Sequence, residues 1–447
     1  MQPISTTNLS AAPREPVTNF GDPEGFRCIK LFVEEIAPMF PFVVVAPDTD
    51  AEQLAREKPL LYKCVLMVTC QNDVDRQTNL ARVIGDEIGR CVGHRERSIS
   101  ILQAVLLYVG WTHIHQHLGA GFLTPMHLAM AMVTELRLDE EAQVNSKISA
   151  GALRGIGQTE PPPVRTLEER RAYLGVLWMA SIINICFHNM VTPRITKYTE
   201  DCCHVLEAAQ DHPNDVYLVE LIRLLRLVHR VDRVVYQDAL DVSSEMTPPL
   251  AMVIGALQGE VALPTKFKPS VPAQAVLSRL SQKMVELHLC KLALEDGYFP
   301  PESSHTVFRA DLLVACLATI DALLDTFCDI ADLAVLSLPY GYWGMVGHAI
   351  KIYSRLSDVR YGPWSPTASR RHAFGQLAQK MEEANAAGQK ARPARRMPEF
   401  HEQLVAKLRE LGEVQANDTR HKAFQTGDAL LDHDMTGGIL FDLLDWA

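Results

Sequence analysis

Thr166-Leu-Glu-Glu-Arg-Arg-Ala-Tyr-Leu-Gly-Val-Leu-Trp-Met-Ala-Ser181, continuing as Ile182-Ile-Asn-Ile-Cys-Phe-His-Asn189, is the stretch that decides the fold. Thr166 places a hydroxyl where a helix N-cap accepts a backbone N–H, and Glu168 and Glu169 put carboxylates at the positive end of the dipole. The helix predicted over Leu167–Asn189 is amphipathic in its first turns and apolar on every side thereafter. Its second half should therefore lie deep among other helices. The apolar run Ala172–Phe187 is shorter than a membrane span requires and is bordered by Glu168-Glu-Arg-Arg171 and His188-Asn189.

Outward from this helix the same three-to-four periodicity recurs. Towards the N-terminus, Ile29, Phe32, Val33 and Ile36 mark one helix, ended by Pro38 and Pro41. Ala51–Glu57 reads as a short helix capped by Thr49 or Asp50. Leu60–Cys70, Leu80–Val92, Ile99–His117 and Phe122–Arg137 follow. Towards the C-terminus, helices are predicted over Val216–Asp238, Val271–Leu294, Thr306–Leu336 and Tyr342–Leu356. Only Phe42–Val45 suggests a short extended piece. The expected fold class is all-α: a large helical domain of packed antiparallel helices in a superhelical arrangement. The expected organisation is a flexible tail over residues 1–24, a helical regulatory-type domain over 25–367, a polar mobile segment over 368–398, and C-terminal helices over 399–447 that pack on the same domain.

The 447 residues are 47% hydrophobic and 22% charged, as in a globular chain with a large core. A net charge of −11 disfavours a phosphate-backbone partner, so no direct nucleic-acid binding is expected. Ten cysteines form no CxxC pair and lie mostly in apolar runs, where a free thiol behaves as a small hydrophobe. Met1–Asn19 offers no apolar stretch for a signal peptidase. Together these features predict an intracellular protein, of nucleus or cytoplasm, without membrane insertion. No P-loop, GxGxxG, GxSxG or metalloprotease signature occurs, and no cofactor is expected.

Several phrases recur in an order that resembles a known family. Glu35-Ile-Ala-Pro-Met-Phe-Pro-Phe-Val43, Pro47-Asp-Thr49 and Arg56-Glu-Lys-Pro-Leu-Leu61 resemble the opening of the regulatory (middle homology) domain of fungal binuclear zinc-cluster transcription factors. Ser98-Ile-Ser-Ile-Leu-Gln-Ala-Val-Leu-Leu-Tyr-Val-Gly-Trp-Thr-His113, Met130-Ala-Met-Val-Thr-Glu-Leu-Arg-Leu138 and the Glu168–Ser181 helix resemble its next landmarks. Ala322-Leu-Leu-Asp-Thr-Phe327 and Leu338-Pro-Tyr-Gly-Tyr-Trp343 resemble later ones. The resemblance runs from about Gly25 to the C-terminus and implies a helical fold with regulatory ancestry. Two features depart from the family. One cysteine precedes residue 60, so the six-cysteine DNA-reading cluster is expected to be absent. After Ser181 the chain continues with Ile182-Ile-Asn-Ile-Cys-Phe-His-Asn189 where the family commonly has small polar residues and an arginine.

His113 and His117 stand one helical turn apart, yet no third ligand is in view, and helix-end imidazoles bonded to carbonyls are expected instead of a metal site. Asn184, Cys186, His188 and Asn189 interrupt an apolar helix; they are either satisfied in the core or line a cavity. Asp321, Asp325, Asp329 and Asp332 read as a solvated stripe rather than a magnesium site. Arginines 223, 226, 230 and 233 likewise read as a surface stripe. Lys390-Ala-Arg-Pro-Ala-Arg-Arg396 has the composition of a nuclear import signal, and Leu430–Trp446 alternates acidic and apolar residues, which suits either an activation segment or a docked helix.

These readings predict a transcription-factor-like regulator without its own DNA-binding module, which binds a small apolar metabolite or a protein partner. The alternative is a cofactor-independent cyclase or isomerase of fungal secondary metabolism, which would fold an apolar polyene or terpenoid by shape alone. A third reading is a truncated product whose zinc cluster lies upstream of Met1. The pocket candidates are Tyr108, Trp111, His115, Trp178, Asn184, His188 and Trp343, side chains with apolar bodies and polar tips.

Overall fold

A computed structural model describes residues 23–70, 73–115, 121–141, 164–187, 190, 192–237, 245–263, 267–300, 303–330, 332–358, 371–391 and 400–409. Among these residues there is no strand, and the all-α expectation holds. Phe42–Val45 is turn and coil rather than an extended piece.

The N-terminal helices are α1 (Pro23–Leu31), α2 (Ala51–Glu57), α3 (Pro59–Thr69), α4 (Val74–His94), α5 (Ile99–Gly110) and α6 (Leu123–Glu135). Their starts follow the local chemistry. The Asp50 carboxylate accepts from the Gln53 N–H at 3.2 Å, Asp73 caps α4 by accepting from Arg76 at 2.9 Å, and Ser98 Oγ accepts from Ile101 at 3.3 Å. α3 packs on α1, α2, α4 and α5, and α5 carries the stack on to α6.

Helix α7 (Leu167–Phe187) is the centre of the molecule and packs against α5, α6 and three later helices. It begins in a capping box. Glu169 N–H donates to Thr166 Oγ1 at 3.1 Å, while Thr166 N–H donates back to Glu169 Oε2 at 2.7 Å. From Ala172 to Ile183 every side chain is buried, as the sequence pattern requires. Close packing here depends on Gly175, where a Cβ would lie 2.7 Å from Phe42 Cβ.

The later helices are α8 (Lys197–Ala209), α9 (Asp215–Val231), α10 (Pro248–Val261), α11 (Pro272–Cys290), α12 (Thr306–Cys328), the short α13 (Asp332–Val335), α14 (Tyr340–Asp358), α15 (Arg371–Ala391) and α16 (400–409). α8, α9 and α14 complete the wall around α7, and α11 and α12 form a closely packed pair behind α9 and α14. A buried fork ties α7 to the start of α9. Arg171 Nε and Nη2 each donate to Asp215 at 2.7 Å, and Nη2 also donates to Asp211 at 2.7 Å. The Asp215 carboxylate also faces the positive end of its own helix.

Several boundaries differ from the sequence reading. The helix predicted to His117 stops at Gly110, and Thr112–Ile114 forms a 3₁₀ turn. His115 shares a 3.1 Å hydrogen bond with the Tyr108 carbonyl, which occupies a terminal acceptor of α5. His113 is therefore not on a continuing α-helix, and His117 lies outside the described residues. α11 gives way after Cys290 to a 3₁₀ turn over Lys291–Leu294, and α9 to a π-turn over Asp232–Gln237. The helix predicted over Thr306–Leu336 breaks after Cys328. Residues 368–398, read as a polar mobile stretch, carry α15, whose Phe374, Leu377, Ala378, Met381 and Ala384 are buried. Alanines and Gly375 dilute its apolar stripe, which hid the periodicity. α8 and α10 had not been read as helices at all.

Candidate functional site

The 3₁₀ turn after α5, the end of α7, the start of α14 and the start of α16 converge on one nest of rings. His113 stacks on Tyr340 with centroids 6.1 Å apart, and lies 5.5 Å from Phe400 and 5.4 Å from His401. Trp343, one turn beyond Tyr340, sits 4.9 Å from His401 and 5.0 Å from Phe327. Phe122 and Phe187 close the Tyr340 side at 5.8 and 6.2 Å. Gly344 lets α14 approach α7; a Cβ there would stand 3.4 Å from Cys186 Sγ.

The ring faces are apolar, but three polar atoms in the nest have no protein hydrogen-bond partner: His113 Nδ1, Tyr340 Oη and Trp343 Nε1. Each residue is 3% exposed or less. Buried polar groups are satisfied as a rule, and each exception carries a desolvation cost of about 1–3 kcal/mol. Three in one cluster leave hydrogen-bonding capacity unused among the described residues. Burial holds the His113 imidazole well below its ordinary pKa, and neighbouring His401 and His115 oppose its protonation further. It is neutral at pH 7, with one ring nitrogen able to accept. Burial likewise raises the Tyr340 phenol, which stays a donor.

Behind the nest lies a chain of buried and half-buried polar groups. Ser181 Oγ and His229 Nε2 share a 3.2 Å hydrogen bond, and the Asp232 carboxylate accepts from His288 Nε2 at 2.6 Å. Lys291, 4% exposed, has its amine pulled down to about 8 by burial, with Asp232 and Cys186 opposing that shift. This chain does not line up as a serine or cysteine triad. Asp232 bonds to His288 rather than orienting His229, and burial pushes the Cys186 thiol up to about 12. A groove of 440 Å³ also runs between α6 and α7, lined by Met130, Tyr173, Val176, Leu177 and Arg194; none of the three orphaned polar atoms lies in it.

The structure distributes the sequence candidates unevenly. Trp343 is in the nest. Trp111 adjoins it, but its indole N–H already donates to the Ser337 carbonyl at 3.2 Å. Trp178 lies in a neighbouring aromatic layer with Phe42 and Tyr342, at 5.3 and 5.8 Å. Tyr108 and His115 stack on each other at 4.0 Å, and burial raises the Tyr108 phenol to about 12. Asn184 is half-buried, and His188 lies outside the described residues. Tyr340, Phe400 and His401 were missed as site residues, although Tyr340 stands inside the aromatic phrase Leu338–Trp343.

Three arginines of the stripe are paired on the surface. Arg223 meets Glu207 at 2.7 Å, Arg226 meets Glu200 at 3.1 Å, and Arg230 meets Glu260 at 2.5 Å. Asp325 and Asp329 are exposed, and Asp329 pairs with Arg279 at 3.4 Å. All ten cysteines are free thiols. Among the described residues no helix is long and apolar enough to cross a membrane.

No protein-family model matches the chain. No solved structure matches it. Among curated proteins it is 24% identical to transcription factor opdL of Penicillium oxalicum over 385 residues, which cover 83% of this chain and 66% of that protein. It is also 24% identical to transcription factor himD of Aspergillus japonicus over 331 residues, 73% of this chain and 54% of that protein. A shorter match, 24% over 188 residues, relates it to transcription factor pbcR of Emericella nidulans. The chain thus resembles fungal transcription factors and spans roughly half to two thirds of the length of the first two.

Proposed function

We propose that this chain is a ligand-responsive transcriptional regulator whose helical body takes a small, largely apolar metabolite in the His113–Tyr340–Trp343 nest. The observation that carries the reading is the clustering of three buried, unpartnered polar atoms on aromatic walls. A planar apolar ligand with two or three hydrogen-bonding atoms would use the ring faces for affinity and the polar atoms for selectivity. Its relatives are named as transcription factors, which supports the regulatory role. Arg223, Arg226 and Arg230 of α9 are each paired with a glutamate, so the described helical body is assigned sensing rather than DNA contact. The cyclase reading is not favoured by these relatives.

The test is retention. The purified chain is incubated with a metabolite extract of its source, and bound compounds are identified by native mass spectrometry. The wild type should retain a compound that Tyr340→Phe retains at least ten-fold less well, since one buried hydrogen bond to ligand is lost. Equal retention by both proteins, or none by either, would sink the nest as the ligand site. A reporter driven by the chain fused to a heterologous DNA-binding module should respond to the same compound.

A further inference from the structure

Away from the nest, α10 turns an apolar face to solvent. The helix packs on α9 and α11 and buries Ile254, Leu257 and Val261. On its other side Met252, Gly255, Ala256 and Gly259 are all exposed. The helical turn continues past Val261, because the Ala262 and Leu263 N–H groups donate to the Gln258 and Glu260 carbonyls. Spacings of three, four and four residues set Met252, Gly255, Gly259 and Leu263 in one row. Met252 is 77% exposed and Leu263 62%, and a Cβ added at either glycine would meet nothing within 4 Å. No charged residue occurs between Thr247 and Gly259, and Glu260 at the edge is held by Arg230. The row reads large, small, small, large from either end.

Beside Leu263, the end of α10 forms with α11 and α12 a groove of 430 Å³ whose apolar wall is Val261, Ala262, Leu289 and Ala315. Polar groups there are already engaged: Gln282 Nε2 donates to the Val261 carbonyl at 2.6 Å, and Lys283 pairs with Glu286 at 2.7 Å. One end of the row therefore offers a knob and the other a hole.

We infer that this face is a two-fold interface between two copies of the chain. Antiparallel α10 helices set the glycines of one copy against those of the other, where no side chain keeps the backbones apart. Met252 lies about 8 Å from the midpoint of the row, and Ala262 about 7 Å to the other side. The two-fold thus carries Met252 of each copy to the groove of the other, and its flexible thioether suits an irregular apolar hole. Such reciprocity is what a self-complementary interface requires. The interface does not depend on the ligand reading.

Sedimentation of the purified chain up to about 100 μM should show a dimer of twice 49.8 kDa in equilibrium with monomer, since one helix pair and its grooves make a small interface. Met252→Glu should weaken association at least about 100-fold, because both symmetric contacts then bury a carboxylate. Its circular dichroism should match wild type, the side chain being exposed in the monomer. Gly259→Leu adds apolar surface but blocks the close approach, so it too should weaken association. Oxidised Met252→Cys/Leu263→Cys should join position 252 of one copy to position 263 of the other, which lie about 16 Å apart along a single helix and cannot bond within it. A wild type that stays monomeric would give the face to another occupant and overturn the inference. So would stronger association in Gly259→Leu, the mark of a non-specific apolar patch, or bonds that join position 252 to itself.

Discussion

Tyr340 and Tyr342 stand two residues apart on α14 and are both buried, yet their hydroxyls differ in one respect that sets the sign of a mutation. Tyr342 Oη shares a 2.5 Å hydrogen bond with Tyr217 Oη, whereas Tyr340 Oη has no protein partner. Tyr342→Phe leaves the Tyr217 hydroxyl buried and unsatisfied, and should cost about 1–3 kcal/mol. Tyr340→Phe removes a group that was desolvated without compensation. It should stabilise the ligand-free protein by about 1 kcal/mol, the small void left by the oxygen offsetting part of the gain. Unfolding entropy of about 2.1 cal/mol/K per residue over 447 residues makes each kcal/mol worth about 1 °C. The two variants should therefore melt about 2–4 °C apart, Tyr340→Phe above wild type and Tyr342→Phe below. Scanning calorimetry on protein stripped of ligand by unfolding and refolding is the assay. If Tyr340→Phe melts lower by as much as Tyr342→Phe, the Tyr340 hydroxyl is satisfied in the free chain, and the reasoning behind the nest fails.

Gly175→Ala forces a methyl to within 2.7 Å of Phe42 Cβ and 3.1 Å of Leu106 Cδ1, both core atoms, and should destabilise by about 1–3 kcal/mol; an unchanged urea midpoint would refute this. His113 carries a pH dependence. Its pKa is depressed in the folded chain, so its contribution is fully present above the unfolded value near 6.5 and is lost as pH falls towards the folded value. Wild type should lose about 1.4 kcal/mol per pH unit more than His113→Gln between about pH 6 and 5, read from urea midpoints. His212, His229 and His288 are depressed in the same direction, which is why the difference between the two proteins, not the wild-type slope, decides the outcome.

What could be read from the sequence was what depends on nearest neighbours along the chain. The Thr166 cap, a cap at Thr49 or Asp50 and the buried all-apolar half of α7 follow from local hydrogen bonding and periodicity; Thr166 caps as expected, Asp50 is the residue that caps α2, and the return bond from Thr166 N–H to Glu169 is added by the structure. Helix ends were read less well because their stop signals are tertiary. Nothing local announces that the Ser337 carbonyl will hold the Trp111 indole, or that His115 will turn back to Tyr108 and close α5. α8 was missed although Thr196 and Thr199 form a capping box, because its exposed face is strongly polar and its apolar stripe short. α15 was missed for the related reason that alanine and glycine supply its buried side.

The site was harder to read than the fold for a reason that residue type cannot mend. Trp111 and Trp343 have the same side chain and are both buried, so they were equal candidates from sequence. The first has spent its N–H on a backbone carbonyl, while the second has kept it unpaired. That difference depends on where Ser337 and His401 come to rest, and neither is within a helix turn of the tryptophan it faces. His113 was noticed for a metal pairing with His117 that needs a continuous helix; once the helix ends at Gly110, the same imidazole turns towards Tyr340 and Phe400. A hydrophobic pattern records which faces are buried, not which buried polar atoms remain unused. Only the second quantity separates a recognition surface from an ordinary core. The proposal therefore stands on the three orphaned atoms, and the opposite shifts of Tyr340→Phe and Tyr342→Phe measure that quantity directly.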